Sequence, residues 1–231
     1  SAAQIELLGV EEKEFLNQFS ISSFELSASD SQAIEEMSSG FAFAVNLKTD
    51  KIITEGSLVI GREEEVRNIL ENLERTQNKA TLLVGDSGIG KTAIVKAFVK
   101  ELSENRDHQL QNTLVFGLNV SKLLSGSTSE NELSKKTVEL FEKLNKLQNT
   151  SILVIDDLQV LLENATGKSN LMINVLNSQL SEGATNLIMC ISSDAYHKYL
   201  EKHPIHTKLE VLQLEELDHF HLLKCLERHQ E

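Results

Sequence analysis

Residues 81–92 read TLLVGDSGIGKT. TLLV has the length and composition of a short buried strand. Gly85 to Thr92 then matches the pattern G-x-x-x-x-G-K-S/T in full. Average residue frequencies produce this pattern in a chain of this size only about once in a hundred. The setting is more informative than the pattern: AIVKAFVKEL (93–102), an amphipathic helical stretch, follows at once. Strand, glycine-rich turn and helix together describe a loop built to cradle phosphates. Its glycines let the backbone of Asp86, Ser87, Gly88, Ile89 and Gly90 curl so that successive N–H groups converge on an anion. The helix starting near Lys91 adds its positive end. Lys91 supplies a cation for the β- and γ-phosphate oxygens, and the Thr92 hydroxyl is placed to ligate Mg²⁺.

A loop of this kind requires an acidic partner, and Asp156-Asp157 directly follows the apolar run Ile152–Ile155. A buried strand ending in a carboxylate delivers it to the carboxyl edge of a sheet, where ligands bind. Asp156 is expected to hold the magnesium through water, and Asp157 stands where a base would orient an attacking water. Gly167-Lys168-Ser169 repeats the last three letters of the motif, but Leu162 stands where its first glycine belongs and no strand leads in. It reads as a polar loop.

Working outward, Val66, Ile69, Leu70 and Leu73 fall at i, i+3, i+4 and i+7, one face of a helix ahead of the loop. TLVFGL (113–118), SILVID (151–156), NLIMCIS (186–192) and KLEVLQL (208–214) read as further strands. Between them lie a stripe at Leu133, Leu140, Phe141, Leu144 and Leu147 and the helical stretch LMINVLNSQL (171–180). Apolar strands alternating with helices imply an α/β fold with a parallel sheet covered on both faces. Residues 1–36 hold a short amphipathic stretch and a Ser-rich segment without periodicity, compatible with a linker, part of a preceding domain or a packing extension.

The 231 residues carry 22 basic and 35 acidic side chains, a net charge of −13, which argues against a chain that works on phosphate backbones. No apolar run approaches the ~20 residues of a membrane-spanning helix, and no basic leader precedes an apolar core, so neither a membrane anchor nor a secretory signal is expected. Cys190 and Cys225 form no CxxC pair, and Cys190 ends an apolar run, as a buried thiol in a reducing cytosol would. His221, Cys225 and His229 share a helical spacing, but they flank leucines and no carboxylate completes a metal set. HPIH (203–206) reads as a loop.

Several stretches resemble the first ATPase module of the Clp family of AAA+ unfoldases and disaggregases. They are VIGREEEVRNILENLERTQNKATLLVGDSGIGKTAIV (59–95), NTLVFGLNVSKLLSG (112–126), NTSILVIDDLQVLL (149–162) and SSDAYHKYLEKH (192–203), in matching order and spacing. The resemblance implies a P-loop fold with a five-stranded parallel sheet of order 5-1-4-3-2. It divides the chain into an extension or linker (1–42), an AAA+ large subdomain (43–214) and the start of a helical lid (215–231). It implies an adenine pocket at Val59, Ile60 and Gly61, a sensor hydroxyl at Ser192, and a preference for ATP and ADP, since the loop itself reads phosphates rather than bases. Implied partners are a protein client, other domains of a longer cytoplasmic chain and copies of itself in a ring.

Three positions depart from that family. Asp157 stands where it has a catalytic Glu, one methylene longer. HPIHTKLE (203–210) offers only Lys208 where the family places an Arg pair that reaches a neighbouring subunit's nucleotide. Ser129 falls where the substrate-gripping loop has an aromatic. The expectation is an ATP-binding module with reduced hydrolysis; the alternative is a scaffold in which nucleotide sets conformation or assembly. A DNA-remodelling member of the wider family fits the acidic charge poorly.

Overall fold

The computed structural model describes residues 44–47, 60–74, 80–104, 110, 113–146, 151–164, 171–182, 186–217 and 221. Five strands run parallel: β2 (Ala80–Val84), β3 (Leu114–Leu118), β4 (Ser151–Ile155), β5 (Asn186–Ile191) and β6 (Glu210–Gln213). Their order across the sheet, β6-β2-β5-β4-β3, is the expected 5-1-4-3-2. A sixth strand, β1 (Ala44–Asn46), pairs antiparallel with β3 at the edge. This addition to the expected sheet depends on Gly117: a Cβ there would come within 2.7 Å of the Leu47 side chain, which folds over it.

Among the described residues, the longer helices beside the sheet are α1 (Glu63–Glu74), α2 (Lys91–Glu104), α3 (Val120–Ser125), α4 (Glu130–Asn145), α5 (Leu158–Asn164) and α6 (Leu171–Glu182). Every residue of β2, β4 and β5 is buried, which explains why these strands are mainly apolar rather than alternating; the exceptions, Thr81, Ser151 and Asn186, are buried polar residues. Successive side chains still go to opposite faces. Leu82, Val84, Phe116, Leu153, Ile155 and Met189 join a core with Leu123, Leu140, Phe141 and Leu176 from α3, α4 and α6. Leu83, Val115, Ile152, Val154, Ile188 and Cys190 join a second core with Ile69 and Leu73 of α1 and Ile94, Phe98 and Leu102 of α2. Asn72 Nδ2 donates to Thr81 Oγ1 at 2.6 Å in the buried seam between α1 and β2.

The helices expected around Val66–Leu73, through 93–102 and over 171–180 are present as Glu63–Glu74, Lys91–Glu104 and Leu171–Glu182, and the Leu133-to-Leu144 stripe buries along α4; Leu147 lies outside the described residues. The stretch read as a loop at 203–206 is instead ordered. His203 Nδ1 accepts the Ile205 N–H at 3.2 Å and starts a 3-10 turn over Pro204–Lys208. His206 Nε2 then meets the Tyr196 hydroxyl at 2.7 Å. Gly167-Lys168-Ser169, Cys225, His229 and the whole N-terminal extension (1–42) lie outside the described residues, as does the C-terminal segment beyond 215–217 and 221.

Candidate functional site

The carboxyl ends of β2, β4 and β5 define the floor of one cleft. Chain connections keep them in register past the last ladder pair: Gly85 N–H donates to Ile191 O at 3.3 Å, and Leu214 N–H to Val84 O at 2.8 Å. The loop therefore leaves β2 from a fixed base. It reverses through Gly88 (φ 83°) and Gly90 (φ 106°), left-handed backbone that side-chain-bearing residues rarely adopt. A Cβ would meet nothing within 4 Å at either glycine. Backbone conformation, and not crowding, is what requires glycine here.

Past the second glycine the chain enters α2, so the free N–H groups of that helix face the loop's hollow. Lys91 Nζ bends back to donate to Gly85 O at 2.7 Å and Asp86 O at 2.9 Å. The Thr92 hydroxyl donates to Asp156 Oδ2 at 2.7 Å. These two residues are 64 positions apart, and the sheet order brings them together.

The cleft has a volume of about 460 Å³. Ser87, Gly88, Gly90, Lys91 and Thr92 line one wall. Asp156, Asp157 and Ser192 line the other. Asp157 is exposed, and its Oδ1 accepts from Gln159 Nε2 at 3.2 Å. Ser192 caps the short helix Ser193–Ala195, its hydroxyl accepting the Ala195 N–H at 3.4 Å. Three lining residues escaped the sequence reading, Ala93, Lys96 and Gln159. Lys96 stands about one helical turn beyond Thr92, a spacing that repeats the same helix face.

The other candidates lie off this cleft. Asp86 takes part through its carbonyl, which accepts from Lys91 Nζ and from the Ile89 N–H at 3.3 Å. The Ile89 side chain turns away to pack on the α1–α2 core. Ile60 and Gly61 are half-buried behind the loop, with the His221 ring so close that a Cβ on Gly61 would sit 2.7 Å from it. Val59 lies outside the described residues. Arg62, to which the sequence reading gave no role, is 5% exposed and bonds to the Ile89 carbonyl within the loop. Its only sequence signal is an arginine between Gly61 and three glutamates.

Beneath Asp156 lies Cys190, a free and fully buried thiol. The pairing of Ile155 with Met189 puts the next residues on the two strands, Asp156 and Cys190, side by side. Burial pushes the thiol well above its usual range, and the Asp156 charge adds to the shift. It stays protonated and packs as a small apolar side chain.

Ser129, expected on a gripping loop, caps α4: its hydroxyl accepts the Glu132 N–H at 3.2 Å. The Glu132 carboxylate accepts the Thr128 N–H at 2.8 Å and the Thr128 hydroxyl at 2.6 Å, and pairs with Lys136 at 2.9 Å. Lys208 Nζ reaches across to α6, bonding Asn177 Oδ1 at 2.7 Å and Ser181 Oγ at 2.5 Å. Among the described residues no group of three His, Cys, Asp or Glu side chains forms a metal cluster, and no helix is long and apolar enough to cross a membrane.

The chain is 29% identical over 164 residues to the chaperone protein ClpB of Malacoplasma penetrans, covering 69% of this chain and 23% of that protein. To ClpB of Aquifex aeolicus it is 30% identical over 174 residues, covering 74% and 17%. The chain thus spans about a fifth of the length of these curated relatives. Its fold matches that of Hsp104 with ATPγS and FITC casein (TM-score 0.71, 23% identity, 82% of this chain and 33% of that one). It also matches the Hsp104–ADP complex of S. cerevisiae (TM-score 0.69, 24% identity, 80% and 32%). The pattern of the family described as "ATPase family associated with various cellular activities (AAA)" runs over residues 81–204, from β2 through the Ser193–Leu200 turns. Because that match takes in more than half of the sequence, including both walls of the cleft, the chain belongs to the AAA family of ATPases.

Proposed function

We propose that this chain binds ATP or ADP with magnesium as an ATPase module of a Clp-like remodelling protein, and that it hydrolyses ATP slowly. The observation that carries the reading is the Thr92 hydroxyl on the Asp156 carboxylate, 2.7 Å apart, beside a loop that reverses through two left-handed glycines. A hydroxyl and a carboxylate are hard oxygen donors of the kind magnesium takes beside phosphate. The lysine and the backbone amides suit a polyphosphate tail. The donor set fits both groups.

In this reading Thr92 ligates the metal directly and Asp156 holds it through water. Lys91 exchanges the Gly85 and Asp86 carbonyls for phosphate oxygens. Bound magnesium would offset the charge that develops on those oxygens. Asp157 orients water from the opposite wall and Ser192 contacts the terminal phosphate or that water. Val59, Ile60 and Gly61 hold the base. Residues 43–214 act as the large subdomain, with 1–42 an extension and 215–231 the start of a lid. The module works in the cytoplasm within a longer polypeptide, with a protein client and ring assembly supplied at that level.

Calorimetric titration with ADP and with ATP, each with and without magnesium, tests the binding claim, with Lys91→Ala as control. Saturable binding that the substitution abolishes is expected. Absence of heat with either nucleotide in magnesium would end the proposal. A second reading, in which nucleotide locks a conformation and turnover is incidental, is favoured by Lys208, whose ammonium is bonded within the chain to α6. A steady-state assay separates the two: turnover that collapses in Asp157→Asn excludes the second.

A further inference from the structure

Arg62 is the one arginine among the described residues that is buried, at 5% exposure. Taking a guanidinium out of water is costly, so its bonds bear on what it does. One terminal nitrogen, Nη1, pairs with Glu65 at 2.7 Å. The other, Nη2, carries two hydrogens and meets two backbone carbonyls from distant parts of the chain. These are Ile89 O at 3.1 Å, inside the phosphate loop, and Glu215 O at 2.8 Å, just after β6. Nε has no partner among the described residues. The side chain is therefore held by those three contacts despite an unsatisfied donor. A residue serving only to fill space would not be retained on such terms, because a well-packed apolar side chain stabilises as much or more.

We propose that Arg62 is a positioning residue of the phosphate loop, aiming the Gly90 N–H into the cleft and fastening the loop to the chain that leaves β6. One peptide plane links Arg62 to the cleft. No peptide bond is cis among the described residues, and a trans unit is planar with its C=O and N–H pointing opposite ways. With the Ile89 carbonyl drawn toward Arg62, the Gly90 N–H of the same unit is directed away from it, toward the wall formed by Gly88, Gly90, Lys91 and Thr92. Gly90 has φ 106° and no side chain, so the plane is otherwise lightly held. The same nitrogen fixes the Glu215 carbonyl, so movement of residues 215–217 is felt at the loop. The guanidinium fork is essential: an ammonium presents no planar pair of donors to span two carbonyls.

This proposal rests on the nucleotide reading for one of its two readouts. The first is nucleotide-free. A bond to a carbonyl alters the amide nitrogen of the following residue, so Arg62→Gln and Arg62→Lys should both shift the ¹⁵N resonances of Gly90 and Glu216. Val115, on β3, should stay in place. The second is ADP titration: loss of one aimed N–H to phosphate predicts binding weaker by about tenfold or more. Arg62→Lys keeps the charge beside Glu65 and should recover most of the thermal midpoint lost in Arg62→Gln, yet keep both the shifts and the weaker binding. A merely structural role would let binding recover together with stability. If Arg62→Gln does not fold, Arg62→Lys carries the test. Unshifted Gly90 and Glu216 resonances would overturn the proposal, as would ADP affinity within twofold of the parent. A parent protein that does not bind ADP sinks the nucleotide reading instead, and Arg62 is then judged on the two amide shifts alone.

Discussion

Replacing Thr92 by valine keeps the shape of the side chain and removes one oxygen. Thr92 is exposed at the first turn of α2, and its hydroxyl donates to Asp156 Oδ2 at 2.7 Å. Because solvent can take over on both sides, the net loss of fold stability is about 1 kcal/mol or less. For a chain of this size that lowers the melting temperature by about 4 °C at most. Nucleotide binding responds differently. If the hydroxyl is a direct ligand of magnesium, its loss removes a contact to a charged group, worth about 1.5–3 kcal/mol, or roughly ten- to hundredfold in affinity. The loss must vanish when the metal is removed, since the amides of the loop and Lys91 are untouched. Titration of parent and variant with ADP, once in magnesium and once in EDTA, reads the difference. Expected are a gap of at least about tenfold in magnesium and agreement within twofold in EDTA. An equal loss under both conditions would refute the assignment, since it would mean that Thr92 acts on the phosphates or on loop geometry rather than on the metal.

Asp157→Glu should raise turnover, by up to about a hundredfold if carboxylate reach is the main defect; an unchanged or lower rate places the defect elsewhere. Phe98→Ala removes a fully buried ring from the core between α1, α2 and the sheet and should cost about 3–5 kcal/mol in denaturant unfolding. The Thr128 hydroxyl and amide, with Lys136, hold the Glu132 carboxyl down at about 2. Being depressed, its contribution is present above the ordinary carboxylate range and lost as pH falls through about 2. Carboxyl ¹³C NMR should find Glu132 still ionised at pH 3, and a midpoint above 4 would contradict the cap geometry.

The parallel sheet was legible because its central strands are buried on both faces and carry apolar runs, as in Ile152–Ile155 and Leu187–Ile191. The glycine-rich turn was legible for a different reason: its backbone needs glycine at Gly88 and Gly90, whatever surrounds them. Where an element depends on a distant partner, the local pattern was silent. Three residues, Ala44–Asn46, carry no periodicity, and their pairing depends on the space left by Gly117. The 3-10 turn at Pro204–Lys208 depends on His203 and on the Tyr196–His206 bond. Arg62 went unread because both of its carbonyl partners lie far along the chain, 27 and 153 residues away.

The positions that depart from Clp-like sequence have something in common. Each makes a local bond in this fold. An aromatic at 129 would remove the N-cap of α4, a loss of about 0.5–2 kcal/mol. Lys208, to reach a neighbouring subunit, would have to release Asn177 and Ser181. Asp157 is bonded to Gln159 beside it. The parts proposed to hold phosphate, by contrast, are backbone geometry and one hydroxyl–carboxylate pair, which side-chain drift elsewhere does not disturb. Binding and turnover therefore rest on separate structural features here. A chain that preserves the first while assigning the residues of the second to its own helices should bind nucleotide well and turn it over slowly. Restoring full turnover should then take changes at more than one of these positions, because the three residues bond to different partners.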